Sequence, residues 1–340
     1  MRAAKRTTAA DVARLAQVST ATVSLIVNGK AEGRVSAGTR ERVLAAIDEL
    51  GYRVDALARD LATGRRHSVA LVVPDIANPY FSQLTQGVAG RLDGYQLCLV
   101  IADPAHDPTS AGLDRMVAER VDGILAEAPA VDLIRKLDGR TPLVVLDRPS
   151  PESDSPYVGF DLDEGATALI DHLLDLGHDR IGYLDADIGV PTFQARRARM
   201  DARLREVTGH GFTGPAVQAR TDIDAAAAAF TAGWDGWRAA GITALVCAAD
   251  VHAYGVLRAA GRLGVAVPGE LSVAAFDDLP FSALVSPPLT TVTLSAFDLG
   301  HRAAGLLLEL MEGRSPVTET PPLPAPLQIR ATTAPPKSAA

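Results

Sequence analysis

Asp11-Val12-Ala13-Arg14-Leu15-Ala16, then Val18-Ser19-Thr20-Ala21-Thr22-Val23-Ser24, closed by Asn28-Gly29, is the stretch on which the reading of this 340-residue chain turns. Thr8 stands three residues ahead of Asp11 and can cap a helix whose apolar positions, Val12, Leu15 and Ala16, recur at helical spacing. Gln17 and Val18 make a turn. Ser19 then caps a second helix over residues 20–28, with Val23 and Val27 predicted to face inward and Thr20, Ala21, Ser24 and Leu25 left on another face. Beyond a polar loop, Ser36 caps a third helix with Val43, Leu44, Ile47 and Leu50 as its buried stripe, stopped at Gly51. Two short helices joined by a tight turn and buttressed by a third form a helix-turn-helix, whose second helix fits a major groove.

The charge distribution supports that reading. The chain as a whole carries -8, but residues 1–66 hold 12 Lys and Arg against 7 Asp and Glu, while the remainder holds 21 against 34. A basic head offers phosphates a local field, and an acidic body keeps the molecule away from nonspecific polyanion contact. With 47% hydrophobic and 22% charged residues the composition is that of a globular protein, which excludes disordered and collagen-like chains. No apolar run reaches the roughly 18–20 residues needed to span a bilayer. The basic N-terminus lacks the apolar core of a signal peptide, so the expected location is the cytoplasm, with no membrane partner. Cys98 and Cys247 lie in separate apolar runs and are expected to be buried thiols.

From Ser68 onward, strand-length apolar runs at 69–73, 97–101, 123–126 and 143–146 alternate with helical stretches. The rhythm resumes with strands at 180–184, 244–247 and 272–276 and helices at 193–207, 224–239 and 250–263. This βαβ arithmetic, read twice, implies two parallel-sheet, Rossmann-like halves with a ligand cleft at the carboxyl ends of their strands.

The ordered strings in the head, continued by Val35-Ser36, Thr39-Arg40-Glu41-Arg42-Val43, Leu50-Gly51-Tyr52-Arg53 and Ala56-Leu57-Ala58-Arg59-Asp60-Leu61, resemble the LacI/GalR family of bacterial transcription regulators. The body resembles that family's periplasmic-binding-protein-like effector domain through Val73-Pro74-Asp75, Asn78-Pro79-Tyr80-Phe81, Arg120-Val121-Asp122-Gly123-Ile124, Leu176-Gly177-His178, Ala249-Asp250, Phe276-Asp277-Asp278 and Pro288-Leu289-Thr290-Thr291-Val292. The fold expected is an all-α helix-turn-helix head plus an α/β body of two Rossmann-like subdomains. Its divisions are a head over 1–54, a hinge helix and linker over 55–66, an effector-binding and dimerisation body over 67–333, and a disordered tail over 334–340. The function implied is sequence-specific repression of operator DNA by a homodimer, tuned by a small-molecule effector such as a sugar or related metabolite, with no cofactor. Induction and corepression both occur in the family, so the sign of the response stays open.

The resemblance carries DNA contact to Thr8, Ser19, Thr20, Ala21, Thr22, Ser24, Leu25, Asn28, Tyr52, Arg59 and Leu61. The last of these is the residue that family hinge helices push into the minor groove. Leu25 stands where an Arg that reads guanine often stands, so the preference at that base pair is expected to shift. Effector contact is carried to Tyr80, Phe81, Asp147, Arg196, Thr221, Ala249 and Asp277. For Tyr80 and Phe81 the competing reading is core packing, and for Asp147 a turn cap. Setting Met200 and Leu204 on the buried stripe favours Arg196 over Arg197 and Arg199. Ala249 replaces a family Asn, and Thr221 falls near a position that is often aromatic. His178 reads as a helix-end residue. No GxxxxGK, HExxH or GxSxG is present, so a sensor or α/β enzyme with a vestigial head remains only as the alternative, and the basic, capped head argues against it.

Overall fold

The computed structural model describes residues 7–27, 31–52, 66–102, 121–127, 141–147, 155–188, 190–314 and 320–337. The chain divides into two compact units between Arg66 and His67. In the first, α1 (Ala9–Leu15) opens with a reciprocal capping box in which the Thr8 hydroxyl takes the Asp11 N–H and the Asp11 carboxylate takes the Thr8 N–H. Hydrogen bonds from Thr8 hold the Asp11 carboxyl down at about 2. The axis turns 106° into α2 (Thr20–Val27), within the range of helix-turn-helix crossings. Ser19 caps α2 by accepting from the Thr22 N–H at 3.1 Å, and Ser36 caps α3 (Ala37–Glu49) through Thr39. Gly51, at φ +55°, follows α3 in a left-handed conformation that glycine adopts without strain.

The stripes in this small core differ from expectation. Val12, Ala13 and Ala16 are buried on α1, whereas Leu15 is 44% exposed. On α2 the inward pair is Val23 and Ile26, three residues apart, with Val27 half-buried. On α3, Val43 and Ala46 are buried, Ile47 and Leu50 pack at the edge, and Leu44 is 47% exposed. Asn28 and the expected hinge, with Arg59 and Leu61, lie outside the described residues.

The second unit holds two sheets. The first is wholly parallel, in the order β2-β1-β3-β4-β5, from β1 (Ser68–Val73), β2 (Gln96–Ile101), β3 (Gly123–Glu127), β4 (Leu143–Leu146) and β5 (Tyr157–Val158). Alternate residues of β1 serve two apolar clusters, Val69, Leu71 and Val73 on one and Ala70 and Val72 on the other. That is the period-two signature of a strand covered on both faces. The second sheet runs β11-β10-β9-β8-β6-β7, from β6 (Ile181–Ala186), β7 (Val217–Ala219), β8 (Ala244–Cys247), β9 (Ser272–Asp277), β10 (Thr290–Thr293) and β11 (Leu327–Gln328), with only β11 antiparallel among these strands.

Helices α4 (Pro79–Ala89), α5 (Leu162–Asp175), α6 (Pro191–Thr208), α7 (Ile223–Ala239), α8 (Asp250–Leu263) and α9 (Ala296–Met311) cover these sheets. Helix α9 follows β10 of the second sheet in sequence but packs on α4 and on β3 and β4 of the first. Two glycines permit the contact: a Cβ on Gly87 would lie 2.0 Å from the Phe297 carbonyl oxygen, and one on Gly300 2.3 Å from that of Leu84. The chain end corrects another expectation. Ala334 donates to the Ser272 hydroxyl, and its carbonyl accepts from Ser272 and pairs with His178 Nε2, so ordered chain continues past residue 333. His178 is therefore structural: its backbone N–H caps the end of α5 by donating to the Leu173 carbonyl at 3.0 Å, and its ring ties β8's neighbour Thr243 to the chain end. Among the described residues no single helix is long and apolar enough to cross a membrane.

Candidate functional site

Strands of both sheets end at one cavity of about 300 Å³. Tyr80 and Phe81 reach its wall because Asn78 caps α4 through the Tyr80 N–H, with Pro79 in the first turn where its missing N–H costs nothing. The two rings meet edge to face at 5.4 Å, each 9% exposed, so they serve packing and cavity wall together. Asp147 follows β4 at φ +65° and Asp277 ends β9 at φ +119°. Left-handed backbone at a non-glycine residue costs roughly 1–3 kcal/mol and collects at functional sites. Both carboxylates line the cavity, as do Thr221 and Ala249.

Helix phase settles the arginine. Met200 and Leu204 are fully buried, and one turn before Met200 Arg196 is 4% exposed inside the cavity wall. Its guanidinium lies 4.5 Å from the Phe193 ring centre and 5.0 Å from that of Phe276, donates to the Ala248 carbonyl, and stands 3.8 Å from an Asp277 oxygen. Arg197 instead pairs with Asp185 at 2.6 Å, and Arg199 donates to Thr167 at 3.1 Å.

Burial pushes the Asp277 carboxyl well above the ordinary carboxylate range, against the opposing pull of Arg196. Burial does the same to the Tyr80 phenol, aided by Asp147, Glu127 and Asp277. Behind the site, Asp250 accepts from the Leu279 N–H at 2.8 Å, from Thr291 Oγ1 at 2.6 Å and from the Ser282 hydroxyl, and burial raises it to about 6. Through the Leu279 N–H, Asp250 ties α8 to the segment that follows Asp277 by two residues.

The sequence reading missed Asp75, Glu127, Thr192, Phe193, Arg220 and Asp222, which also line the cavity. Thr192 and Phe193 precede Arg196 by four and three residues, so the helical face was available as a signal. Glu127 follows the predicted strand 123–126 directly, at the carboxyl end where ligands gather. In the head, α2 leaves Thr20, Ala21 and Ser24 exposed and Leu25 half-buried, while Thr8, Ser19 and Thr22 hydroxyls are engaged in caps. Tyr52 packs at the edge of the head's core.

Residues 8–55 match the family described as bacterial regulatory proteins, lacI family, and residues 170–333 match a periplasmic binding protein-like domain. The HTH-type transcriptional repressor CytR of Escherichia coli K12 is 31% identical over 327 residues, spanning 92% of this chain and 93% of CytR. This chain belongs to the LacI family. The structure of the lac repressor dimer bound to operator and the anti-inducer ONPF is similar over 97% of this chain and 100% of that one, at 25% identity and TM-score 0.83. A CelR–cellobiose complex is similar over 96% and 100%, at 26% identity and TM-score 0.67. The chain is thus a LacI-family DNA-binding transcription regulator with an effector domain, not an enzyme.

Proposed function

We propose that this LacI-family chain works in the cytoplasm as a homodimeric repressor whose grip on a near-palindromic operator is set by a small hydroxylated molecule in the cavity. Each subunit presents α2 to a major groove, with Thr20, Ala21 and Leu25 at base edges and Thr8, Ser19, Thr22, Ser24, Asn28 and Tyr52 alongside them. Arg59 and Leu61 act from a hinge helix in the minor groove. The effector meets Tyr80, Phe81, Asp147, Arg196, Thr221, Ala249 and Asp277. The observation that carries this reading is the buried Arg196 beside the strand-end Asp277, a polar pair set in an aromatic-walled cavity, in the same chain as a capped helix with an exposed polar face. The dimer solved on operator and the relative solved with cellobiose support it.

Selection from random duplexes tests the DNA half. The expected product is a two-fold symmetric site with half-sites spaced by whole turns; failure to enrich any sequence overturns it. Titrating the selected duplex in the presence of candidate sugars tests the other half.

A further inference from the structure

A second cavity, a groove of about 760 Å³, opens on the flank of the second sheet between α6 and the segment that leads into β7. Gln194, Arg197, Asp201 and Arg205 recur at helical spacing along one face of α6 and form one wall. Tyr183 and Asp185, alternate residues of β6, come to the groove from the sheet. Arg197 pairs with Asp185 and Arg205 with Asp201, so two guanidiniums cancel two carboxylates. The remaining charged group of the lining, the exposed Asp187, has no ion-pair partner among the described residues. Tyr183 is 5% exposed, and its hydroxyl is buried without a hydrogen-bond partner. Burial pushes that phenol well above its ordinary value, so it stays protonated and can donate or accept. Phe212 stacks on the Tyr183 ring at 4.8 Å.

We propose that this groove is a second ligand site, separate from the cavity that holds Arg196, and that it takes a small molecule carrying one ammonium group on a polar body. The ammonium answers Asp187, the carboxylate left uncompensated, and a hydroxyl or amide of the body answers the Tyr183 hydroxyl. An anion would meet Asp187 and find both guanidiniums already engaged by carboxylates. A dication would bring its second charge against Arg197 or Arg205. A dinucleotide is excluded on local structure, although Gly209-His210-Gly211-Phe212-Thr213-Gly214 at the groove spells GxGxxG. That fingerprint needs a strand before it and a helix after it, whereas here α6 precedes and β7 follows. Its glycines answer packing instead: a Cβ on Gly211 would run into the Asp201 carboxylate, and one on Gly214 would stand 2.6 Å from the Trp237 ring. Ile188 and Phe193 line both the groove and the Arg196 cavity, so the two spaces share a wall.

Three probes test this. Tyramine, tyrosol and 4-hydroxyphenylacetate share a phenol ring and differ at the tail, which is an ammonium, an alcohol and a carboxylate. Each is titrated against the full-length chain by saturation-transfer NMR, a method suited to weak ligands. Tyramine is expected to bind about tenfold more tightly than tyrosol, and the carboxylate to give no signal at the same concentration. Asp187→Asn is expected to remove the advantage of tyramine over tyrosol, and Tyr183→Phe to weaken both. Asp147→Asn, which alters the Arg196 cavity alone, is expected to change neither. No binding of tyramine, equal binding of the three probes, or an ammonium preference that survives Asp187→Asn overturns the charge assignment. Unchanged affinities in Tyr183→Phe overturn the part given to its hydroxyl. Loss of tyramine in Asp147→Asn puts the probe in the other cavity and overturns the second site, while leaving the effector reading standing.

Discussion

Arg196 is held by two aromatic faces, one carbonyl and one carboxylate, and these contacts fail in different ways when one partner is removed. Arg196→Met leaves Asp277 buried without its counter-charge, a loss expected to cost roughly 3–5 kcal/mol. Asp277→Asn leaves the guanidinium its carbonyl and both rings, and is expected to cost less. Urea denaturation of the two variants decides the matter; equal losses mean the pair is not what stabilises the strand end. In the head, Leu25 is the residue proposed to meet a base edge without a bidentate donor. Leu25→Arg is expected to change the preferred base in duplex selection, with discrimination of about 1–3 kcal/mol for a good bidentate pair. Enrichment of the same sequence by both proteins would show that Leu25 does not face the bases.

At the scale of elements, the second sheet is bound to the chain end by an imidazole together with hydroxyl and backbone hydrogen bonds. His178 bridges Thr243 and the Ala334 carbonyl, and Thr332 accepts from the Thr290 N–H at 2.8 Å. His178→Ala is expected to lower stability by about 1–3 kcal/mol and to speed amide exchange in residues 331–337; unchanged exchange there refutes the clamp. Burial lowers the pKa of His172, His178 and His252 alike. The unfolded chain therefore binds more protons than the folded one below the ordinary histidine value, and stability falls as pH drops through 6.5 toward 5. Asp250 works in the opposite sense, since its raised carboxyl takes up a proton in the folded state. His252→Met is expected to flatten the acid loss measured by thermal melts between pH 7 and 5, and an unaltered slope contradicts that. The elements that the sequence disclosed are those with an unbroken apolar run or a strong cap, such as β1, β9 and α3. Strands β5, β7 and β11 are two or three residues long, too short for periodicity to register. Leu15 and Leu44 obeyed helical spacing yet stay exposed, because three short helices enclose too little volume to bury every apolar position. Arg196 was legible from the phase of Met200 and Leu204. Asp222 and Arg220 were not, because what brings them to the cavity is the end of a three-residue strand.

For the whole molecule, regulation requires that the cavity in one unit and the DNA-facing helix in the other share a free energy. The reading proposed for the segment between them is a hinge helix that folds on DNA, since residues 55–66 are too few to be helical alone in water. A ligand that binds one state of the body more tightly shifts the balance between operator-competent and incompetent forms by no more than that difference in affinity. Thermodynamic reciprocity then fixes a quantity that can be measured. If the effector weakens operator binding by some factor, the operator must weaken effector binding by the same factor, typically 5- to 150-fold. Leu61→Ala separates this coupling from the two binding sites. Removing the wedge is expected to weaken specific binding and reduce bending of a circularly permuted operator, because unstacking a base step costs a few kcal/mol that only the bent complex offsets. Effector affinity of the DNA-free protein is expected to stay the same, since Leu61 is in the head unit and the cavity in the other. Undiminished bending excludes Leu61 as the wedge, and a changed effector affinity without DNA shows that the hinge acts on the body even when no operator is present.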